Sequence, residues 1–373
     1  MGTVHIVILA LALISIVLSG VAIARDRPLD WNFAVPELPV PSGTPLFERV
    51  FDYTANEGQA HSPAILAEEG GFSVVWFEGS AEAQADVDIH RVVLRCDGDG
   101  WRATVPAPFV TRAALGRALD PQQLVVTLGN SIQNEAQPDA LFGTAVSVGG
   151  WAMASVADIW LDGGQVASAR KLNLSPLLNR SHLVKSPMVA YADGSHALPA
   201  YFEMGPTYAE LVRFAPDGRV RDVRRMPSSG VKAIQPMVVV HDAQRAVAFI
   251  RDFDPSGRLW ISRTNNGGQS WSEVEMTETP NPSAPVAALP LAGGSILMAM
   301  NDDAADAGVL RLAVSRDQGN SWRVIHTFEH DGGALRYPML RRLAGGEIAL
   351  AYSHATKRGI RAYVLNDAWV AAQ

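Results

Sequence analysis

Eight polar side chains recur at two matching positions of a segment that this sequence repeats. The first position opens an apolar strand at or just before a proline, and the second closes the strand that follows. The residues at the first position are His61, Lys185, Gln235 and Tyr337, and those at the second are Glu78, Glu203, Arg251 and Asn301. Arginine recognises a carboxylate through two parallel hydrogen bonds, whereas carboxyl, phenol and imidazole groups transfer protons. The set therefore favours acid and base chemistry on an anionic ligand.

Each of these residues also has a structural interpretation. Strand ends are exposed to solvent, so polar residues are common there whether or not they have a function. Tyr337 can pack as an amphipathic side chain, Lys185 can lie on a solvated face, and Arg251 can pair with Glu203 or Glu78. The functional interpretation is stronger for the whole set than for any single member.

The repeat predicts an all-β, six-bladed β-propeller. Successive prolines of the repeat, at 187, 236, 285 and 338, are 49, 49 and 53 residues apart. Periods of about 40 to 50 residues built from strands are typical of propellers. We expect hairpins near 61–78, 137–156, 185–203, 235–251, 285–301 and 337–353, with an insertion within 102–134. Phe47 to Tyr53 is expected to close the ring by pairing with the last blade.

This topology brings the polar set together. In an antiparallel hairpin, the start of the first strand and the end of the second lie at the same end. In a propeller, all of these ends surround one mouth. The eight side chains are therefore expected to line one funnel.

Composition excludes several classes of protein. The 373 residues are 48% hydrophobic and carry a formal net charge of -7, so no basic surface suited to nucleic acid is expected. The single cysteine, Cys96, excludes an intrachain disulfide and is expected to be buried. We expect a monomer.

The N-terminus predicts export. Residues 6–24 are apolar and uncharged, long enough to span a membrane, and end in the small-x-small form of a cleavage site. We therefore expect residues 1–24 to be a signal peptide or membrane anchor, 25–46 a proline-rich linker, and 47–373 the propeller. The mature protein is expected to be periplasmic, extracellular or membrane-anchored.

Two eight-residue segments carry a family resemblance. Ser315 to Trp322 matches the Asp-box pattern Ser-x-Asp-x-Gly-x-x-Trp, and Thr264 to Trp271 matches it with Asn266 in the Asp place. Residues 97–101 resemble a shortened third copy. Asp-boxes within a six-fold repeat resemble the sialidase (neuraminidase) superfamily, particularly its bacterial BNR-repeat members, over about residues 56–369. The boxes themselves are expected to be structural.

The resemblance also implies roles for individual residues. Tyr337 stands in the register of the family's tyrosine nucleophile, Arg251 in that of an arginine that grips the substrate carboxylate, and Asp86, beside Glu82 and Asp88, in that of the acid/base. His61 stands where the family has another arginine, and Gln235 where it has the glutamate that takes the phenol proton. No metal and no organic cofactor is implied.

These departures shape the expected function. An amide cannot accept a proton from a phenol, so true sialidase activity is doubtful. The resemblance implies an exported, exo-acting glycoside hydrolase for a terminal, acidic sugar of a glycan. The alternatives are a non-catalytic glycan-binding propeller, which needs no acid, and a polysaccharide lyase that uses His61 or Tyr337 as base.

Overall fold

The computed structural model describes residues 2–25, 28–98, 100–175, 179–254, 256–328 and 333–373. In chain order, its helices and strands are α1 (Thr3–Arg25), β1 (Phe47–Thr54), β2 (Gln59–Glu68), β3 (Gly71–Gly79), β4 (Asp88–Cys96), β5 (Trp101–Ala103), β6 (Ala107–Val110), α2 (Arg112–Ala118), β7 (Thr127–Gln133), β8 (Ala140–Val146), β9 (Ser155–Asp162), β10 (Gln165–Lys171), β11 (His182–Val184), β12 (Val189–Ala190), β13 (His196–Phe202), β14 (Tyr208–Phe214), β15 (Val220–Arg225), β16 (Ala233–Val240), β17 (Ala246–Asp252), β18 (Arg258–Thr264), β19 (Glu275–Pro280), β20 (Ala287–Pro290), β21 (Ile296–Met300), β22 (Leu310–Ser315), β23 (Arg323–Phe328), β24 (Arg336–Arg342), β25 (Ile348–His354), β26 (Gly359–Leu365) and α3 (Asp367–Ala372).

The strands form the six antiparallel blades that the repeat predicts. The sheets run β2-β3-β4-β5, β7-β8-β9-β10, β11-β13-β14-β15, β16-β17-β18-β19, β20-β21-β22-β23 and β24-β25-β26-β1. Strands such as β16 and β21 are buried along their whole length, as expected of apolar segments that lack a solvent-facing side. Large side chains such as Trp76, Phe142 and Phe249 are buried in the hydrophobic core clusters. The blades therefore stabilise one another by packing.

The ring closes as predicted. Strand β1 pairs antiparallel with β26, from Phe47 opposite Leu365 to Thr54 opposite Gly359. Phe47 also stacks on Trp369, with ring centroids 4.3 Å apart. The pairing covers an edge of β26 that would otherwise be open to association.

The polar-proline dipeptide of the repeat forms a β-bulge in three of the blades. Strands β2, β16 and β24 each shift register at the dipeptide. The residue before the proline has positive φ: 56° at Ser62, 52° at Gln235 and 57° at Tyr337. This backbone is uncommon for residues other than glycine. Bulges beside active sites commonly redirect a side chain, so these three positions mark the region to inspect for function.

The predicted hairpin at 137–156 has the wrong register. The innermost strand of that blade is β7, and it shifts register at Gly129 and Asn130, where the sequence has no proline. Residues 140–162 form instead the second and third strands of the blade. Part of the predicted insertion, 102–134, is therefore the innermost strand, and α2 lies in the remainder.

Two further expectations need correction. Cys96 ends β4 and is exposed rather than buried. Within the proline-rich segment, Phe33 is buried and bridges Tyr191, and the Phe33 amide donates to Ala243 O at 2.8 Å. After the end of α1, the described residues of this segment form no helix and no strand longer than that bridge, but Phe33 and Trp31 pack in a core cluster of the propeller because they bury apolar surface.

Helix α1 belongs to a separate compact unit, residues 1–30. By length and composition it is able to cross a membrane, and a signal sequence would meet the same criteria.

The two Asp-boxes form turns between the third and fourth strands of their blades. Asp317 accepts hydrogen bonds from the Ser321 and Asn320 amides and from the Ser315 and Ser321 hydroxyls, at 2.6 to 3.1 Å. Gly319 has φ 88°, and a Cβ there would lie 2.6 Å from the Phe249 ring. The boxes are therefore structural in this fold.

Replacing Asp317 with alanine should lower the free energy of unfolding by about 1 to 2 kcal/mol, by analogy with the loss of a side-chain cap. Asp317→Asn should cost much less, because Asn266 accepts from the Ser270 amide at the same place of the other box. Hydrogen bonding, first from Ser321, lowers the pKa of Asp317 to about 2. The stability that the ionised Asp317 carboxylate contributes should therefore be lost as the pH falls from about 4 through about 2. Urea unfolding of the three proteins at neutral and acid pH tests both statements.

Candidate active site

A cavity of about 410 Å³ opens where the innermost strands begin. Five of the six blades contribute to its lining, which comprises Phe77, Glu82, Gly129, Asn130, Thr144, Trp151, Leu183, Tyr201, Glu203, Ile234, Gln235, Arg251, Phe253, Arg336, Tyr337 and Lys357. A cavity of this size suits a small ligand such as one sugar unit.

Arg251 connects three blades at this cavity. Its Nη1 donates to Gln235 Oε1 at 3.0 Å and to Tyr337 Oη at 3.2 Å, while its Nε donates to Ser283 Oγ at 3.2 Å. All three acceptors are neutral groups, so these hydrogen bonds hold the guanidinium in place without neutralising its charge. A guanidinium that neutral groups hold in a fixed orientation is suited to binding a carboxylate.

Arg336 adds a second cation beside Arg251. It lines the cavity, and its guanidinium makes no hydrogen bond or ion pair with any residue that the structure describes. Burial, and then the charge of Arg251, lowers the pKa of Arg336. Two neighbouring guanidinium groups without an ion-paired carboxylate indicate a site for an anion.

Two carboxyl groups face the same cavity in different environments. Glu82 forms an ion pair with Lys357, with Oε2 and Nζ 2.5 Å apart. The backbone of Lys357 and of the two residues before it has positive φ, from 49° to 68°, and this unusual turn brings the lysine to the cavity. Burial raises the pKa of Glu203, Arg251 opposes this shift and Glu82 adds to it.

Aromatic side chains form the apolar part of the wall. Phe253 is 51% exposed although it is large and apolar, and Trp151 and Phe77 also line the cavity. A Cβ at Gly129 would lie 2.9 Å from the Trp151 ring, so glycine permits the close approach of the indole. Such surfaces beside a few polar groups are typical of small-molecule sites.

Four of the predicted site residues meet at this cavity: Tyr337, Arg251, Gln235 and Glu203. Gln235 also lies 3.4 Å from Tyr201 Oη through its Nε2. The positive-φ bulges place Gln235 and Tyr337, and the end of β17 places Arg251.

His61 and Lys185 do not line the cavity but lie beneath Tyr337. The His61 ring packs edge-on against Tyr337, with centroids 4.4 Å apart, and His61 Nδ1 lies 2.9 Å from Ser353 Oγ. Burial, and then neighbouring cations, lowers the pKa of His61 well below its usual value. Lys185 is 3% exposed, and its Nζ donates to Pro338 O at 3.1 Å. Both residues support Tyr337 from below.

Glu78, Asn301 and Asp86 also lie outside the cavity lining. Side chains alternate along a strand, so Phe77 faces the cavity while Glu78 accepts hydrogen bonds from Tyr53 Oη and Trp76 Nε1. Asn301 is fully buried and donates to backbone carbonyls, including Leu335 O.

Asp86 is exposed and accepts hydrogen bonds from the Ser80 amide and hydroxyl, both at 3.0 Å. Glu82, of the same loop, lines the cavity instead. Asp86 is therefore a turn residue in this structure.

Sequence reasoning missed Arg336, Lys357 and the aromatic wall. One feature of the sequence points to Arg336: it directly precedes Tyr337, a predicted site residue. Lys357 and Phe253 lie in loops that carry no repeat pattern. Among the residues with described structure, no group of three or more His, Cys, Asp or Glu side chains is placed to hold a metal ion.

Comparison with known proteins identifies the family. The model of the BNR repeat-like domain matches residues 70–350. The comparison with curated proteins finds no match. Among solved structures, a protein of unknown function from Dyadobacter fermentans is 13% identical with a TM-score of 0.63, and the alignment covers 86% of this chain and 99% of that one.

Sialidases also share the fold. The Trypanosoma rangeli sialidase, solved with sialic acid, is 11% identical with a TM-score of 0.64, over 88% of this chain and 60% of that one. The intramolecular trans-sialidase from Ruminococcus gnavus is 12% identical with a TM-score of 0.57, over 86% and 96%. The chain thus spans about 60% of the length of the trypanosomal enzyme. Because the family match covers most of the propeller and the fold is that of the sialidases, the chain belongs to the BNR repeat-like domain family as a sialidase-like repeat protein.

Proposed function

We propose that this protein is a carbohydrate-active enzyme, an exo-acting glycoside hydrolase that removes a terminal acidic sugar from a glycan. The observation that carries the proposal is the pair Arg251 and Arg336, two guanidinium groups without a carboxylate partner in the described chain, in a cavity that also holds two carboxyl groups. The arginines supply recognition of a sugar carboxylate, and the carboxyl groups supply proton transfer.

The size and walls of the cavity favour one terminal sugar. About 410 Å³ lies at the small end of the range for ligand pockets. Phe253 and Trp151 offer apolar faces against which the C–H groups of a sugar ring can pack. We therefore propose that the acidic sugar enters the cavity and that the rest of the glycan extends outwards.

Sialic acid is not the favoured sugar. Gln235 presents its amide oxygen to Arg251 and its amide nitrogen to Tyr201, so it has no group that takes a proton from the Tyr337 phenol. His61 is buried and stays neutral, so it supplies no third cation at the cavity. We therefore favour a hexuronic acid, whose single ring carboxylate Arg251 and Arg336 can bind.

The test is hydrolysis of para-nitrophenyl glycosides of glucuronic, galacturonic and sialic acid and of glucose, as both anomers. We expect turnover of a hexuronide, much weaker turnover of the sialoside and none of the glucoside. Rapid turnover of the sialoside, or equal turnover of acidic and neutral glycosides, would contradict the proposal.

A glycan-binding propeller is the second candidate, because Gln235 leaves Tyr337 without an activating base. It predicts saturable binding of free glucuronate with no turnover of any glycoside. A lyase would need a hexuronic acid that carries a further sugar on O4, and it would release from such a glycan an unsaturated sugar that absorbs in the ultraviolet.

We also propose that the protein is exported, on the basis of the apolar helix α1. The propeller should be found in the membrane or outside the cytoplasm after cell fractionation. Recovery of the intact N-terminus in soluble cytosol would refute export.

A further inference from the structure

Glu203 is the one carboxyl of the cavity that the described structure leaves without a partner. Its amide donates to Ser181 O and Oγ, both at 3.1 Å, which fixes the backbone at the end of β13. Its carboxyl group makes no hydrogen bond or ion pair in the described ranges and lines the cavity. Glu203 is thus rigidly placed while its acidic group remains available to a ligand.

The groups around Glu203 favour its protonated form. Burial raises its pKa, and the negative charge of Glu82 adds to this effect. Arg251 opposes it, but the guanidinium is directed at Gln235, Tyr337 and Ser283. Tyr201, on the same strand, is fully buried, and burial raises its pKa as well, so no second anion arises there at neutral pH. The remaining charged side chains of the lining are Arg336 and Lys357, and Lys357 is paired with Glu82.

We propose that Glu203 is the general acid of this site and that Glu82 is the general base. This inference rests on the proposed function as a glycoside hydrolase. Glu82 is ion-paired with Lys357 and offers a carboxyl group that can accept a proton, whereas the half-buried carboxyl of Glu203, without such a pair, can give one. Two carboxyl groups, one acting as acid and one as base, are the usual arrangement for hydrolysis of a glycosidic bond.

The reaction balances with water alone. The Glu203 proton passes to the glycosidic oxygen as the bond from that oxygen to the anomeric carbon breaks, and the remainder of the glycan leaves as an alcohol. Water attacks the anomeric carbon, and its proton passes to Glu82. The products are the free acidic sugar and the shortened glycan. Transfer of the proton from Glu82 to Glu203 through solvent restores the starting state.

This assignment gives Tyr337 and Gln235 binding roles. The Tyr337 oxygen accepts a hydrogen bond from Arg251, and Gln235 cannot remove the phenol proton. Tyr337 therefore orients Arg251 and contacts the sugar through its side chain. Asp86 is not assigned as the acid, because it is exposed, lies outside the cavity lining and accepts hydrogen bonds from Ser80.

The test compares leaving groups that differ in their need for a proton. Glu203→Gln should lower kcat on the methyl glycosides of glucuronic and galacturonic acid by about 10² to 10⁴-fold, the usual contribution of a general acid. On the dinitrophenyl glycosides it should change kcat by less than about 10-fold, because dinitrophenolate leaves without protonation. Glu82→Gln should slow both substrate types alike. Glu278→Gln, on a side chain that is 98% exposed, is the matched control and should be silent.

The pH profile is the second measurement. The acid must be protonated to act, so activity of the wild-type protein should fall on the basic side as Glu203 ionises. That basic limb should disappear from kcat/KM in Glu203→Gln. An equal loss on both leaving groups, a retained basic limb, or the same signature in Asp86→Asn would overturn the inference while leaving the hydrolase intact. Absence of any turnover by the wild-type protein would instead refute the hydrolase, and this inference with it.

Discussion

Arg251→Ala should weaken the binding of free glucuronate by about 10- to 150-fold, which corresponds to about 1.5 to 3 kcal/mol for a lost hydrogen bond between charged groups. The side chain reaches the cavity with its charge uncompensated by its three neutral partners. A ligand carboxylate therefore gains the full charge-assisted contact in the wild-type protein and loses it in the variant. Calorimetric titration measures the difference.

The chemistry of the ligand supplies the control for this prediction. Methyl glucoside has the same ring without the carboxylate, so its weaker affinity should change little in Arg251→Ala. Arg258→Ala removes a more exposed arginine from the neighbouring strand β18 and should leave both affinities unchanged. An equal loss of affinity for both sugars in Arg251→Ala would show that the arginine maintains the shape of the cavity and does not bind the carboxylate.

Lysine in place of Arg251 should restore only part of the affinity. The ammonium group would keep the positive charge but lose the planar fork that contacts Ser283, Gln235 and Tyr337 together. If Arg251→Lys binds glucuronate as tightly as the wild-type protein, the positive charge alone accounts for recognition of the carboxylate.

The sequence predicted the propeller because the repeat has a physical cause. A proline cannot donate to a sheet ladder, and in three blades it follows a bulged residue with positive φ, so the polar-proline dipeptide marks a fixed point of the blade. The second blade forms its bulge with Gly129 and Asn130 instead. Without that mark, Gln137-Pro138 wrongly predicts the start of the innermost strand, and the predicted register falls on the next hairpin.

The site was less predictable because a place at a strand end fixes where a residue lies but not where its side chain points. Phe77 and Glu78 end the same strand, yet only Phe77 faces the cavity, since side chains alternate. Lys185 and His61 lie at the mouth end and still point beneath it. Lys357 reaches the cavity through a turn whose left-handed backbone has no sequence signature. Such features depend on contacts between blades, which a single repeat does not encode.

Lys185 shows how costly one such inter-blade contact is. Its ammonium crosses from the third blade to donate to Pro338 O in the sixth, 5.9 Å from the centroid of the Tyr337 ring. Complete burial lowers its pKa from 10.5 to about 7. The unfolded chain holds the lysine proton up to about pH 10.5, whereas the folded protein releases it above about pH 7. Folding is therefore penalised increasingly as the pH falls from about 10.5 to about 7, and the penalty is constant below that.

Lys185→Met should consequently stabilise the protein at neutral pH. The full penalty is on the order of 5 kcal/mol for a shift of this size. About 1 to 3 kcal/mol is offset because the Pro338 carbonyl loses its donor, which leaves a net gain of about 2 to 4 kcal/mol. The gain should shrink as the pH rises towards 10 and then reverse, because the wild-type penalty disappears while the lost hydrogen bond remains.

Urea unfolding of the wild-type and Lys185→Met proteins at several pH values between about 7 and about 10 measures this gain directly. The pKa of Lys171 is also lowered by burial, but that residue is common to both proteins, and its contribution cancels in the difference. Burial is the largest cause of the lowered pKa of His61, so His61 should titrate below this range in both proteins, although Lys185 also lowers that pKa. A stability difference that does not change with pH would show that the pKa of Lys185 is the same in the folded and unfolded chains. Destabilisation at every pH would show instead that the hydrogen bond to Pro338 outweighs the cost of burying the amine.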